Sequence, residues 1–311
     1  MDFFLQTSLC SKPLVRNTES IRTSTFASVM HWQFVRIMNV KEVPIPMTPD
    51  QVNEAWLKSV FKSNHEKNDI EVIEVKAVRA NIGYMSSAFQ AKILINEKLE
   101  DVFIKIMPLG DHQRSILEKY PFDATEIHVY ENVLPKLEKF EESVLGSSHL
   151  KQMFCKFYAG KSSLNKKSRG YFVILEDVSS NFHMPNCNQG LTMTQILSAI
   201  KRLAQFHGTS YCYGKLNGMM DFGSDFAFTK FFENPEDRKF DKNGFDLAIE
   251  KLKAHNELQS AIILEGLQNN YLEKFKMAFY GTNQDFLTHR DLWPCNLMFS
   301  KFNEVSIVSR V

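Results

Sequence analysis

The chain has 311 residues, 44% of them hydrophobic and 23% charged, with 37 Lys and Arg against 36 Asp and Glu and a formal net charge of +1. The length allows two modest cores, the composition is globular rather than fibrous or disordered, and the balanced charge gives no basis for nucleic acid as the main partner. The five scattered cysteines (Cys10, Cys155, Cys187, Cys212, Cys295) form no CxxC pair, which argues against a disulfide scaffold or a zinc cluster and for a reducing cytosol.

Every apolar run is broken by charge before the roughly 18 residues a membrane span requires. Residues 1–45 mix Arg16, Arg22 and Arg36 with many Ser and Thr but also with Asp2, Glu19 and Glu42. They are expected to form a weakly ordered extension of a cytoplasmic protein, a mitochondrial presequence being the alternative. Pro44, Pro46 and Pro49 close that extension. Thr48 is then placed to cap a helix starting near Pro49, with Val52, Trp56 and Val60 on one face. Three strands follow, Ile70–Arg79, Ser86–Asn96 and Asp101–Met107, with Gly83 in the first turn and Asn96–Leu99 in the second. Alternation of Phe103 and Lys105 with Ile104 and Ile106 puts Lys105 inside a strand. Phe122–Val133 reads as a helix ending at Leu134-Pro135. A hairpin of Met153–Ala159 and Gly170–Leu175 then brackets a Lys- and Ser-rich turn.

Beyond Glu176 the pattern is helical. Thr194 is the expected cap of a helix running to about Ser210, with Leu197, Ile200 and Ala204 on its inner face. Phe245–Ala254 and Ile263–Phe279 are two further helices, and Leu297–Phe299 with Val305–Val308 form a short hairpin. A sheet-rich lobe, residues 46–177, therefore precedes a helical one, residues 178–311.

Several residues bear on chemistry. A tight turn at Gly83 would bring backbone N–H groups and the Ser86 and Ser87 hydroxyls near phosphate oxygens, although one glycine in a hairpin is also a plain turn. It does not fit the GxxxxGK[ST] phosphate loop. Lys105, flanked by apolar residues, leaves water cheaply only beside an anion. Glu126 on the next helix is a suitable partner, and such a pair holds nucleotide phosphates in protein kinases; an exposed lysine and a solvated glutamate are the alternative. The connector Glu176, Asp177 and Val178 could offer adenine its backbone donor and acceptor, or be an ordinary acidic strand end. The strongest signal is Thr288–Phe299, THRDLWPCNLMF, in which His289, Asp291 and Asn296 have phosphotransferase spacing. There His289 braces the loop, Asp291 receives the proton of an attacking hydroxyl and Asn296 offers a neutral oxygen to Mg²⁺. His207 reads as a hydrogen-bonded core histidine.

From about Pro46 to Phe299 these motifs resemble the ecdysteroid kinase-like group, also called CHK kinase-like and related to choline and aminoglycoside kinases. The resemblance rests on the Gly83 turn, the strand ending at Lys105, the helix from Phe122 to Tyr130 with Leu134-Pro135, the connector Ile174–Asp177, Leu203–His207 and, most specifically, Thr288–Phe299. It implies an α+β, two-lobed protein-kinase-like fold with an antiparallel sheet-rich N-lobe and an incomplete helical C-lobe. It also implies an ATP- and Mg²⁺-dependent kinase for a small-molecule alcohol, a steroid among the candidates. In that reading Lys105 contacts phosphate, Glu126 pairs with it, Asp291 is the base and Asn296 a magnesium ligand.

Three departures from the family pattern qualify that expectation. Arg290 replaces the usual loop glycine. Ser309 stands thirteen positions after Asn296, where the family has its main metal-binding Asp, and a hydroxyl is a poor substitute for a carboxylate on Mg²⁺. Much of the usual helical lobe is lacking, so a truncated form with little kinase activity is expected. A catalytically silent nucleotide-binding or interaction protein is the alternative reading, with a protein kinase third.

Overall fold

Alternating apolar residues build the first region around a single sheet. The computed structural model describes residues 43–64, 69–78, 86–163, 165, 169–186, 189–218, 234, 238–280, 286–289, 291–301 and 307–309, all within one compact unit, Arg36–Val311. The expected extension, apart from residues 43–45, and the turn at Gly83 lie outside the described residues.

Five strands, β1 (Ile70–Ala77), β2 (Ser87–Ile95), β3 (Lys98–Ile106), β4 (Phe157–Ser163) and β5 (Gly170–Glu176), pair antiparallel in the order β1-β2-β3-β5-β4. Asn96 and Glu97, both at positive φ (49° and 64°), join β2 to β3 in two residues, the backbone twist that a tight antiparallel hairpin demands. Val102, Ile104 and Ile106 of β3 and Phe172 and Ile174 of β5 face one way, against Leu57, Val60 and Phe61 of the helix α1 (Glu54–Asn64). Tyr171, Val173 and Leu175 of β5 face the other way, into a second core. Lys105, opposite Val173, belongs to that second face.

The helix at Thr48 differs from expectation. Thr48 precedes only a 3₁₀ turn, Pro49–Gln51, and Asn53 starts α1, its Oδ1 accepting the Trp56 N–H at 3.1 Å.

On the second face lie α2 (Asp111–Lys119), α3 (Phe122–His128), a π-helical turn (Val129–Val133) and α4 (Leu134–Leu145). The helix therefore continues through Pro135 rather than ending there. Proline lacks an N–H and its ring clashes with the carbonyl four residues earlier. The wider π turn before it opens that spacing, and Pro135 is the second residue of the next α-helical segment, in the first turn where no donor is required. Ile127 packs on Gly160 of β4 so closely that a Cβ there would lie 2.9 Å from Ile127 Cγ1. Tyr130 stacks on Phe157 at 5.4 Å. These contacts fix which face of α3 meets the sheet.

The helical region starts with α5 (Met193–Asn217). Its cap is Thr192, not Thr194: Thr192 forms a capping box with Gln195, whose N–H donates to the Thr192 hydroxyl at 3.3 Å. The inner face is also displaced from expectation. Ala199, Phe206 and Ser210 are buried, while Leu197 and Ile200 are exposed and so is Ala204. Two longer helices than expected follow, α6 (Arg238–Ala254) and α7 (Leu258–Tyr280). They pack as a pair, with Ile249 and Ala261 buried. A small sheet closes the chain in the order β6-β7-β8: β6 (Phe182–His183), β7 (Leu297–Ser300) and β8 (Ile307–Ser309). The expected terminal hairpin is present, and β6 extends it. Among the described residues no helix is long and apolar enough to cross a membrane. The whole is an α+β arrangement, sheet-rich first and helical second.

Candidate functional site

Strand β3 and helix α3 supply the first pair. The alternation of β3 turns Lys105 toward α3, and its Nζ meets Glu126 Oε1 at 2.6 Å with both side chains about one-seventh exposed (15% and 14%). Burial raises the pKa of Glu126; Lys105 opposes that shift, whereas Asp123 and Asp291 add to it. An ammonium that is nearly dry and partly neutralised can accept an arriving phosphate without leaving a buried charge alone when none is bound.

Asp291 belongs to the same electrostatic neighbourhood. The loop carrying it is tied to α5, where Ser210 Oγ accepts the Leu287 N–H at 3.0 Å, and it runs into the 3₁₀ turn Pro294–Asn296 and β7. Asn296 Nδ2 donates to Asp291 Oδ2 at 2.7 Å and to its backbone carbonyl at 2.9 Å. Although the Asp291 residue as a whole is exposed, protein packed beside its carboxyl removes enough water to raise the pKa, against the lowering effects of Asn296, His289 and Lys105. A carboxylate fixed by an amide and moved toward neutrality is a better proton acceptor than a free aspartate. His289 is half-buried beside it.

The remaining expected residues divide. Ser86 is half-buried and shares a hydrogen bond with the buried Tyr171 hydroxyl. Ser87 is the first residue of β2, opposite Ile106. Gly83 lies outside the described residues, as does Arg290. In the connector, the Glu176 N–H donates to Lys156 O at 2.8 Å and the Asp177 N–H to Asp101 O at 2.9 Å. The Asp177 carboxylate is used inside the protein, accepting from Gln90 Nε2 at 2.5 Å and from the Ser179 N–H at 3.0 Å. It therefore anchors the connector. Val178 is buried, and its carbonyl accepts from Asn181 and Phe182. His207 packs on Phe286 with ring centroids 4.8 Å apart. Its Nε2 is buried and has no hydrogen-bond partner among the described residues, and burial lowers its pKa. The expected hydrogen-bonded histidine is thus held by aromatic packing instead.

Two groups beside the site escaped the sequence reading. Arg169 and Asp123 form a buried ion pair behind Glu126, although Asp123 stands one helical turn before Glu126, a spacing that signals a shared face. Cys295, in the turn before β7, is disulfide-bonded, whereas the scattered cysteines had argued against a disulfide scaffold.

Asn296 is the expected metal ligand. Asn296 spends its nitrogen on Asp291 and keeps one neutral oxygen. Among the described residues no three His, Cys, Asp or Glu side chains group as metal ligands. Backbone pairing places Ser309 opposite Leu297 at the end of the small sheet. Mg²⁺ is ordinarily held by one or two carboxylates together with substrate phosphates, and the carboxylate beside Asn296 is that of Asp291. The sequence pattern of the ecdysteroid kinase-like family matches residues 82–309, and no curated protein matches the chain.

Proposed function

Since the chain belongs to the ecdysteroid kinase-like family, we propose that it is an ATP-dependent phosphotransferase acting on the hydroxyl of a small apolar alcohol, with ecdysteroid-like steroids as the first class to test. The observation that carries this reading is the 2.6 Å Lys105–Glu126 pair, set within electrostatic reach of an Asp291 that Asn296 orients. In the proposed reaction Lys105 binds phosphate oxygens, with Ser86 and Ser87 at the neighbouring turn. The donors of Glu176 and Asp177 being engaged, adenine would take its backbone donor from Val178. Asp291 accepts the acceptor's proton as the hydroxyl oxygen bonds to the γ-phosphorus. The bond from that phosphorus to the bridging oxygen breaks, and ADP leaves. Magnesium would arrive on the phosphates, where it neutralises charge; no step above depends on a protein-held ion.

A second reading, a nucleotide-binding protein without transfer, is favoured by Ser309 in place of the expected carboxylate. One experiment separates the two. ATP binding is measured by calorimetry with and without Mg²⁺, and transfer from γ-labelled ATP is followed on a panel of steroid alcohols. Asp291→Ala should lower turnover by about 10²–10⁴-fold with little change in ATP affinity, while Lys105→Ala should weaken both. Binding that depends on Lys105 but no transfer to any alcohol establishes the second reading. No ATP binding at all refutes both.

A further inference from the structure

Behind the Lys105–Glu126 pair lies a second pair with a different set of partners. Asp123 and Arg169 are 3% and 4% exposed. Arg169 Nη1 donates to Asp123 Oδ2 at 3.1 Å and Nη2 to Asp123 Oδ1, the bidentate geometry of a strong ion pair. The same guanidinium donates to Ser162 Oγ at 3.1 Å, Ser163 O at 3.0 Å and Gly170 O at 3.2 Å, and its Nε donates to Leu117 O at 3.4 Å. One side chain thus ties the end of α2, the first turn of α3 and the mouth of the β4–β5 hairpin. A structural purpose alone could be served by apolar packing, which often replaces a buried ion pair at no loss of stability.

The charge arrangement supplies a reason for an arginine. Asp123 and Glu126 lie one turn apart on α3, and Asp291 of the loop adds a third negative charge. Among the described residues, the charged and titratable groups that act on Glu126 are Lys105 of β3, Asp123 of its own helix, Asp291 of the loop and Tyr171 of β5. Without Arg169, Lys105 would face three carboxylates unaided.

We infer that Arg169 is a positioning residue for phosphate binding: by neutralising Asp123 and fastening α3 to the β4–β5 hairpin, it keeps Glu126 ionised and directed at Lys105. This rests on the nucleotide reading above for its functional part, and on geometry alone for its electrostatic part. Burial of Glu126, reinforced by Asp123 and Asp291, acts in the direction that Arg169 must counter.

The test uses the whole chain with carbon-13 in its glutamate side chains, the Glu126 signal being assigned by its loss in Glu126→Gln. Arg169→Gln leaves Asp123 uncompensated, so the Glu126 titration midpoint should rise by about one pH unit or more. Asp123→Asn leaves Arg169 uncompensated, so the midpoint should fall. The double substitution removes both charges and should return it close to that of the unmodified protein. Each single variant has its own expected sign, which keeps the test decisive where the other fails to fold, and where both fold a lost contact alone would not move the midpoint in opposite directions. ATP affinity, read on the same proteins, should fall about tenfold in Arg169→Gln and recover in the double variant, as expected where about 1.4 kcal/mol is restored. A Glu126 midpoint that stays put in the folded single variants overturns the inference, whatever ATP does. Midpoints that shift while ATP affinity does not overturn the phosphate role. Midpoints that shift in a protein that binds no ATP in any form support the charge role and refute the proposed function.

Discussion

The sheet region and the helical region contain comparable apolar sequence, yet they use it differently. In β5, six consecutive residues are buried because α1 covers one face of the sheet and α3 and α4 cover the other. In α5, Met193, Leu197 and Ile200 repeat at helical spacing and stay 68%, 60% and 57% exposed. The α6–α7 pair likewise leaves Leu258, Ile262 and Ile263 in solvent. Hydrophobic content alone therefore does not make a core. A second layer must be present to receive it. The candidate site draws on both regimes, with Lys105 and Glu126 from the closed region and Asp291 and Asn296 from a loop braced by one helix.

The sharpest way to break this contrast is to truncate one large side chain in each region. Phe172 is wholly buried and meets Trp56 edge-on at 5.1 Å. Phe172→Ala should cost about 3–5 kcal/mol in urea denaturation. Ile200→Ala, on the open face of α5, should change stability by less than about 0.5 kcal/mol. Similar losses at both positions would mean that the α5 face is covered in solution.

A smaller effect follows from the same open face. Apolar stripes on α5 and α7 that stay exposed among the described residues favour association, so the sedimentation coefficient should rise with protein concentration. Replacing Leu197 and Ile200 by Glu should suppress that rise while leaving the urea midpoint nearly unchanged. Association that persists in the double variant would shift attention from α5 to the α6–α7 pair.

How much of this was legible in the sequence follows the same division. Strand patterning located β1, β2, β3 and β5, and alternation placed Lys105 within a strand, whereas β4 starts at Phe157, four residues later than expected, and runs to Ser163 through residues read as a turn. The loop from Thr288 to Phe299 was readable because its residues interact over short separations, Asn296 reaching Asp291 five positions away. The continuation of the helix past Pro135 was not, since proline usually marks an end and the π turn that accommodates it has no simple signature. The cap at Thr192 was available, with Gln195 completing a capping box that Thr194 lacks. The inner face of α5 was not: the stripe at Leu197, Ile200 and Ala204 is the more apolar, but the packed face is the one that meets the second core through Phe206 and the loop through Ser210. Arg169 and Asp123 are 46 residues apart, too far for any local pattern to join them.

The smallest effect concerns the seam where the two regions meet, which holds buried polar groups beside its apolar contacts. Glu141 of α4 is buried and accepts from the Leu150 N–H at 3.1 Å, Ser148 Oγ at 2.9 Å and Thr209 Oγ1 of α5 at 3.5 Å. One turn earlier, Glu138 is desolvated, and its pKa is raised from 4.5 to about 7; Lys151 opposes the shift, and Glu142 and Glu141 add to it. Below pH 4.5 Glu138 is protonated in both folded and unfolded chains and contributes no pH dependence. Between pH 4.5 and 7 the unfolded chain releases this proton while the folded one retains it, so stability falls as pH rises. Above 7 the penalty is complete. A shift of this size in a fully dry site would correspond to roughly 3 kcal/mol, but Glu138 is only half-buried, and solvent screening reduces the expectation to about 1 kcal/mol. Glu138→Gln should therefore stabilise the protein by about that amount at pH 8, with the difference vanishing near pH 4.5. Urea titrations of both proteins across that interval provide the check. A difference independent of pH would assign the effect to packing at the seam and remove Glu138 as the group that makes the junction weaken with rising pH.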